Sequence, residues 1–129
     1  MTLLVSYPLG IGFGLLAALH RNSWIDYGVT FGSTLGMVVP NFVIAIWLIL
    51  LFSVGLGWLP TGGWGSPAHL VLPVIAYSLL PTSLVARYTR VSILESLGAD
   101  HVRTARAKGL AERRVLVWHV ARNALIPFV

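Results

Sequence analysis

No charged side chain occurs in the chain between Asp26 and Arg87. A helix that crosses a bilayer needs about 20 mostly apolar residues, so residues 27–86 are long enough for two membrane spans and a connecting loop. A water-soluble core of this length would show polar residues at the period of a helix or a strand, and no such pattern is present. The uncharged stretch therefore predicts an all-α fold, a multi-pass bundle of transmembrane helices.

The composition of the whole chain agrees with a membrane protein. Hydrophobic residues make up 57% of the 129 residues and charged residues only 10%, whereas a soluble domain carries roughly 25% charged residues. The absence of cysteine excludes a disulfide scaffold, a thiolate metal site and a cysteine nucleophile. The net charge of +5 would also suit a nucleic-acid-binding protein, so the position of the basic residues has to decide between these classes.

The apolar segments predict three spans and part of a fourth. We place them at about 1–19, 36–54 and 70–87, with the start of another from about residue 124. Trp58 and Trp64 flank a loop rich in glycine and proline between the second and third spans, as aromatic residues do at a membrane surface. Three glycines in the first span would let a neighbouring helix approach closely; they are Gly10, Gly12 and Gly14.

The distribution of basic residues predicts the orientation. Arg21 precedes the second span and eight basic residues lie from the end of the third span, at Arg87, onward, while the loop between these spans has none. The positive-inside rule therefore places segments 20–33 and 88–123 in the cytoplasm and segment 55–69 outside it. Because the chain stops within the apolar start of a span, we expect it to be a piece of a longer membrane protein.

The basic segment after the third span has helix start and stop signals. We predict that the third span continues as a helix to Gly98, and that Asp100 is the N-cap of a short helix ending at Lys108 with Gly109 at C′. A second helix should begin near Ala111. A loop that only fixes topology is the alternative, but two capped helices are more structured than that role requires.

The order of these residues resembles a known family. The stretch Asp100-His-Val-Arg-Thr-Ala-Arg-Ala-Lys-Gly-Leu-Ala-Glu-Arg-Arg114, followed by His119-Val-Ala-Arg-Asn-Ala-Leu-Ile-Pro127, resembles the cytoplasmic loop of the inner-membrane permease subunits of dipeptide and oligopeptide ABC importers. Three earlier motifs are similar to the same family in the same order: Trp24-Ile-Asp-Tyr27, Pro40-Asn-Phe42 and Gly57-Trp-Leu-Pro60. The resemblance covers nearly the whole chain.

The resemblance implies a partial permease domain whose short helix, from about Gly98 to Gly109, is the coupling helix that docks on an ATPase subunit. The implied contact residues are Asp100, Arg103, Thr104, Ala105, Arg106, Ala107, Lys108 and Gly109. In ABC importers generally, this loop carries a Glu-Ala-Ala motif with a glycine four positions after the second alanine. Ala105 and Gly109 match that alanine and that glycine, whereas Arg103 and Thr104 occupy the positions of the Glu and the first Ala. The implied location is the bacterial inner membrane.

The same resemblance implies the partners of the chain. It implies ATPase subunits, a second permease subunit and an extracytoplasmic solute-binding protein, with membrane lipid around the spans and no nucleic acid. Dipeptides, longer peptides, nickel chelates and glutathione-like compounds all remain open as substrates.

No residue pattern in the chain predicts an enzyme. A G-x-x-x-x-G-K-[ST] loop is absent, so ATP hydrolysis should come from a partner chain. The four histidines are scattered without an i,i+4 pair, which predicts neither a metal site nor a cofactor in this chain.

Two alternatives concern the polar residues and the function. Asn41, Tyr77, Ser78 and Thr82 are candidates for lining a substrate path, but hydrogen bonds between helices, worth about 1 kcal/mol or less each, would also account for them. The alternative function is a membrane-anchored module whose basic segment binds anionic lipid or nucleic acid.

Overall fold

The computed structural model describes residues 1–108, except for the side chains of residues 101, 103, 105 and 106. This part of the chain is helical and contains no strand, which confirms the all-α prediction. Its helices are α1 (Thr2–Leu19), α2 (Trp24–Val38), α3 (Asn41–Leu48), α4 (Ala68–Gly98) and α5 (Asp100–Ala107), and a π-helical segment, Ile49–Gly55, extends α3. The predicted second cytoplasmic helix from Ala111 and the predicted span from about residue 124 lie outside the described residues.

Helices α1 and α4 pack against each other at very short range. A Cβ atom added to Gly10 would lie 2.6 Å from Val85 Cβ, and one added to Gly14 would lie 2.5 Å from the Ala86 carbonyl oxygen. Gly12, by contrast, has no such neighbour within 4 Å among the residues that the structure describes. The predicted close approach is therefore confirmed at Gly10 and Gly14, whereas Gly12 does not face α4, because residues two apart on a helix face different directions.

Helices α2 and α3 meet at a sharp break. Val39 and Pro40 have extended backbones, with ψ of 124° and 139°, and the two helices are bent by 106°. Pro40 has no N–H to donate, and it disfavours the helical region for the residue before it. The span predicted at about 36–54 is thus divided into the end of α2 and a separate bent segment, and the predicted connection 20–33 contains most of α2.

The length and composition of the helices agree with a multi-pass protein. Within residues 1–108, α1 and α4 are long and apolar enough to cross a membrane, and the bent α2–α3 unit makes a third candidate when it is counted as one span. Helix α4 includes the predicted span 70–87 and continues to Gly98, as the sequence indicated. It also continues through Pro73 and Pro81, neither of which has a backbone N–H to donate to the helix.

The segment between α3 and α4 is irregular, as predicted. Gly57, Gly63 and Gly65 adopt positive φ angles there, which glycine reaches without steric cost. Trp58 is 70% and Trp64 is 93% exposed. Both indole rings are therefore largely accessible, although the Trp58 ring lies against Phe52 of the π-helical segment, with 6.2 Å between the ring centroids.

Candidate functional site

A single non-helical residue separates helix α5 from helix α4. Helix α4 ends at Gly98, and Ala99 has an extended backbone with φ −73° and ψ 149°. Asp100 is the first residue of α5, so Ala99 occupies the cap position that the sequence analysis gave to Asp100. Its carboxylate still lies in the first turn of the helix, where the helix dipole favours a negative charge.

One residue of α5 fixes it to the bundle. Val102 is fully buried, at 0% exposure, in a cluster with Ala18 of α1 and Ile93 of α4, each 2% exposed. Leu15, Leu94 and Leu97 pack around this cluster. The short helix therefore lies against the adjoining ends of α1 and α4 and is held there by apolar contact.

The other described side chains of α5 lie at the surface. Asp100, Thr104 and Ala107 are exposed, as is Lys108 just after the helix. Thr104 Oγ1 donates to the Asp100 carbonyl at 2.9 Å, so its polar group is used within the helix. Of the other predicted contact residues, the side chains of Arg103, Ala105 and Arg106 and the whole of Gly109 lie outside what the structure describes.

An ion pair with a buried carboxylate connects α2 to α4. Asp26 is 3% exposed, and Arg90 binds its carboxylate with Nε 2.5 Å from Oδ1 and Nη2 2.8 Å from Oδ2. The backbone N–H of Asn22, a residue with φ of 61°, also donates to Oδ2 at 3.1 Å. Buried carboxylates need such partners, because an unpaired charge away from water is very costly.

The sequence analysis did not identify this pair. Asp26 and the arginines near residue 90 mark the two ends of the uncharged stretch, which was the available signal. The sequence could not show that the ends meet, because 64 residues separate the two partners. Nor could it choose Arg90 over Arg87, which is exposed in the structure.

The predicted path residues fall at separate places. Ser78 is buried between α1 and α4, where its carbonyl accepts a 3.2 Å hydrogen bond from Ser6 Oγ and its own hydroxyl donates to the Ile75 carbonyl at 3.0 Å. Asn41 is the first residue of α3. Ser78 therefore lies in the interface between α1 and α4, with its hydroxyl bonded within α4 and its backbone carbonyl bonded to α1.

Two of the path residues line different cavities. Thr82 lines a cavity of about 300 Å³ between α1, α2 and α4. Tyr77, which is 62% exposed, lines a cavity of about 110 Å³ with Pro60 and His69, beside α3 and the irregular loop. The four predicted residues do not form a single site in the described part of the chain.

The described residues hold no group of three metal-ligating side chains. His20 Nδ1 lies 3.1 Å from the Leu16 carbonyl oxygen, and His69 Nδ1 lies 2.9 Å from Ser66 Oγ. Both rings therefore have local hydrogen-bond partners.

Known proteins match nearly the whole chain. The family model of the binding-protein-dependent transport system inner membrane component matches residues 10–129. The chain is 43% identical to the dipeptide transport system permease protein DppB of Bacillus subtilis, with 93% of this chain and 39% of that protein aligned. It is 42% identical to the oligopeptide transport system permease protein AppB of the same organism, over 100% of this chain and 43% of the relative.

A third relative extends the similarity to another organism. The oligopeptide transport system permease protein OppB of Escherichia coli K12 is 43% identical over 92% of this chain and 40% of its own length. The chain thus spans about two fifths of the length of these relatives. With its apolar helices and a family model that matches most of its residues, the chain belongs to the family of binding-protein-dependent transport system inner membrane components.

Proposed function

We propose that the chain is part of the permease subunit of an ATP-driven, binding-protein-dependent importer of peptides. The observation that carries this proposal is its similarity to dipeptide and oligopeptide permease proteins along more than nine tenths of its residues. In this role the helices form part of the translocation path and a separate subunit hydrolyses ATP. The alternative of a lipid- or nucleic-acid-binding module receives no support from these relatives.

Helix α5 is proposed as the coupling helix that receives force from the ATPase subunit. A helix that transmits a displacement has to be fixed to the moving part on one side and accessible to its partner on the other. Buried Val102 meets the first requirement, and exposed Thr104, Ala107 and Lys108 meet the second. The small side chain at Ala107 would also allow a partner surface to come close.

The proposed orientation places α5 and the ends of α1 and α4 on the cytoplasmic side. The basic residues near these ends support it through the positive-inside rule. The irregular loop with Trp58 and Trp64 would then face the other side, where both exposed rings are available to a solute-binding protein. The proposed partners are that protein, a second permease subunit and two ATPase subunits.

A crosslinking experiment tests the proposed role of α5. The chain contains no cysteine, so Ala107→Cys can be introduced into the full-length permease of the assembled transporter, with any cysteine outside this chain replaced by serine. Cysteines along the cleft of the ATPase subunit complete the pairs. We expect disulfide formation in native membranes that changes when ATP is bound.

Two matched variants control for the position and the side of the membrane. Val102→Cys lies on the buried side of the same helix and should not crosslink. Trp64→Cys should react with an impermeant maleimide added outside the cell, and Ala107→Cys should not. The proposal fails when an assembled complex gives no crosslink at Ala107→Cys, or when that cysteine is labelled from outside.

The substrate class is tested by uptake. The reconstituted transporter should take up labelled peptides in an ATP-dependent manner when its solute-binding protein is present. A series from dipeptide to pentapeptide would separate the classes that the sequence leaves open. Uptake of none of them, by a complex that hydrolyses ATP, would contradict the peptide assignment.

A further inference from the structure

Helix α2 is loosely packed against α4 along the middle of their contact. Two cavities lie along this interface, of about 300 and 240 Å³. Gly28 and Gly32 line the larger cavity, and in the described part of the chain a Cβ atom added to either would meet no atom of another helix within 4 Å. At one end of the interface Gly36 is in direct contact with Ser83, since any Cβ at this glycine would overlap Ser83 Oγ.

The opposite end of the same interface is held by the ion pair of Asp26 and Arg90. Two nearly parallel hydrogen bonds join the guanidinium to the carboxylate, and this bidentate geometry fixes direction as well as distance. Asp26 is almost fully buried, so water cannot replace its partner without cost. The pair therefore resists any separation of the two helices at this end.

Helices α1, α4 and α5 form a tighter unit. The glycine contacts join α1 to α4, and the cluster of Ala18, Ile93 and Val102 joins both helices to α5. Close-packed interiors transmit displacement with little deformation. A displacement of α5 should therefore move α1 and α4 together, whereas the movement of α2 depends on its looser contact with them.

We propose that Asp26 and Arg90 are positioning residues that make α2 follow α4 when α5 is displaced. Because α2 leads directly into the bent α3 segment, the pair would set the position of both segments during transport. This inference rests on the proposed role of α5. It adds a specific joint through which movement of the coupling helix reaches a third helix of the bundle.

The test uses the full-length permease in the assembled and reconstituted transporter. The double variant D26N/R90Q removes both charges, so neither partner is left as the unpaired buried charge that makes removal of one partner strongly destabilising. R90K keeps the positive charge and loses the bidentate geometry. R87Q is the matched control, because Arg87 lies on the same helix and is exposed.

Two measurements report on the pair. The first is the amount of peptide taken up per ATP hydrolysed, which should fall roughly tenfold in D26N/R90Q and in R90K, within the range known for variants that weaken coupling between sites. ATP hydrolysis itself should stay close to the unaltered level. The second is the distance between spin labels at exposed Phe31 of α2 and Tyr88 of α4, whose distribution should broaden in both variants and not in R87Q.

Each outcome decides the inference. Unchanged uptake per ATP together with an unchanged label distance in D26N/R90Q overturns it. Failure of both D26N/R90Q and R90K to assemble also overturns it, since the pair would then act in folding rather than in movement. The label distance needs no substrate, so it still decides the role of the pair when the unaltered complex takes up no peptide and the proposed function fails.

Discussion

The contact between α1 and α4 makes a quantitative prediction about two glycines of one helix. In Gly14→Ala, the new Cβ atom would lie 2.5 Å from the Ala86 carbonyl oxygen and 2.6 Å from Thr89 Cβ. Ordinary van der Waals contact begins near 3.4 Å, and the carbonyl belongs to a helix backbone that cannot rotate away. The two helices must therefore separate by about 1 Å, which weakens the dispersion contacts around this point by a quarter to a half.

Gly12→Ala is the matched control for this change. The substitution is the same and lies on the same helix, but within residues 1–108 no atom of another helix is within 4 Å of the added Cβ. Both variants gain the same helix propensity, up to about 1 kcal/mol. The difference between them therefore isolates the steric overlap, which we expect to cost about 1–3 kcal/mol, a factor of roughly 5 to 150 in the equilibrium constant.

Equilibrium unfolding of the full-length protein in mixed micelles of rising SDS content measures this difference. Gly14→Ala should unfold at a lower SDS fraction than the unaltered protein, and Gly12→Ala at an equal or higher one. Equal stabilities of the two variants would refute the reasoning. They would show that α1 and α4 are not in glycine-mediated contact at this point.

Three other changes test separate contacts. Pro40→Ala restores a backbone donor and frees the preceding residue to become helical. The 106° bend between α2 and α3 should therefore open, and spin labels on the two helices should move apart. An unchanged distance between the labels would mean that packing sets the bend. Val102→Ala removes two methyl groups from a fully buried side chain. The free energy of unfolding should fall by about 2 kcal/mol, and the hydrogen-exchange rate of the α5 amides should rise. Unchanged exchange would contradict the anchoring role of Val102. Ser6→Ala removes a hydroxyl that shares its one proton between the Thr2 carbonyl of α1, at 2.8 Å, and the Ser78 carbonyl of α4, at 3.2 Å. The unfolding free energy should fall by only about 0.6 kcal/mol, and a loss above about 2 kcal/mol would be inconsistent with one shared hydrogen bond in a membrane.

The candidate site was predictable in part. The stop at Gly98 and the following short helix came from local signals: a glycine, an acidic residue and a change from apolar to basic side chains. These signals act within a few residues, and the structure places a helix at Asp100–Ala107 accordingly. The sequence did not reveal that Val102 anchors this helix, because its partners Ala18 and Ile93 come from two other helices.

The break in the second predicted span shows a different limit. Hydropathy gave residues 36–54 as one continuous apolar segment, and the same segment contains a proline that was not read as a helix end. Hydropathy sums over a window and is blind to a single missing backbone donor. Only the folded structure shows that the helix is interrupted at Pro40 although the residues around it are apolar.

The sequence by itself determined that this is a helical membrane protein, because the absence of charge over residues 27–86, the tryptophans within this stretch and the arginines around it are properties of each segment alone. The tertiary structure decided which side chains meet: Gly10 and Gly14 but not Gly12 against α4, and Arg90 but not Arg87 with Asp26. These choices depend on the rotation and relative height of whole helices. A rotation of one helix by part of a turn exchanges the residues that face its neighbour while leaving the composition of every segment unchanged.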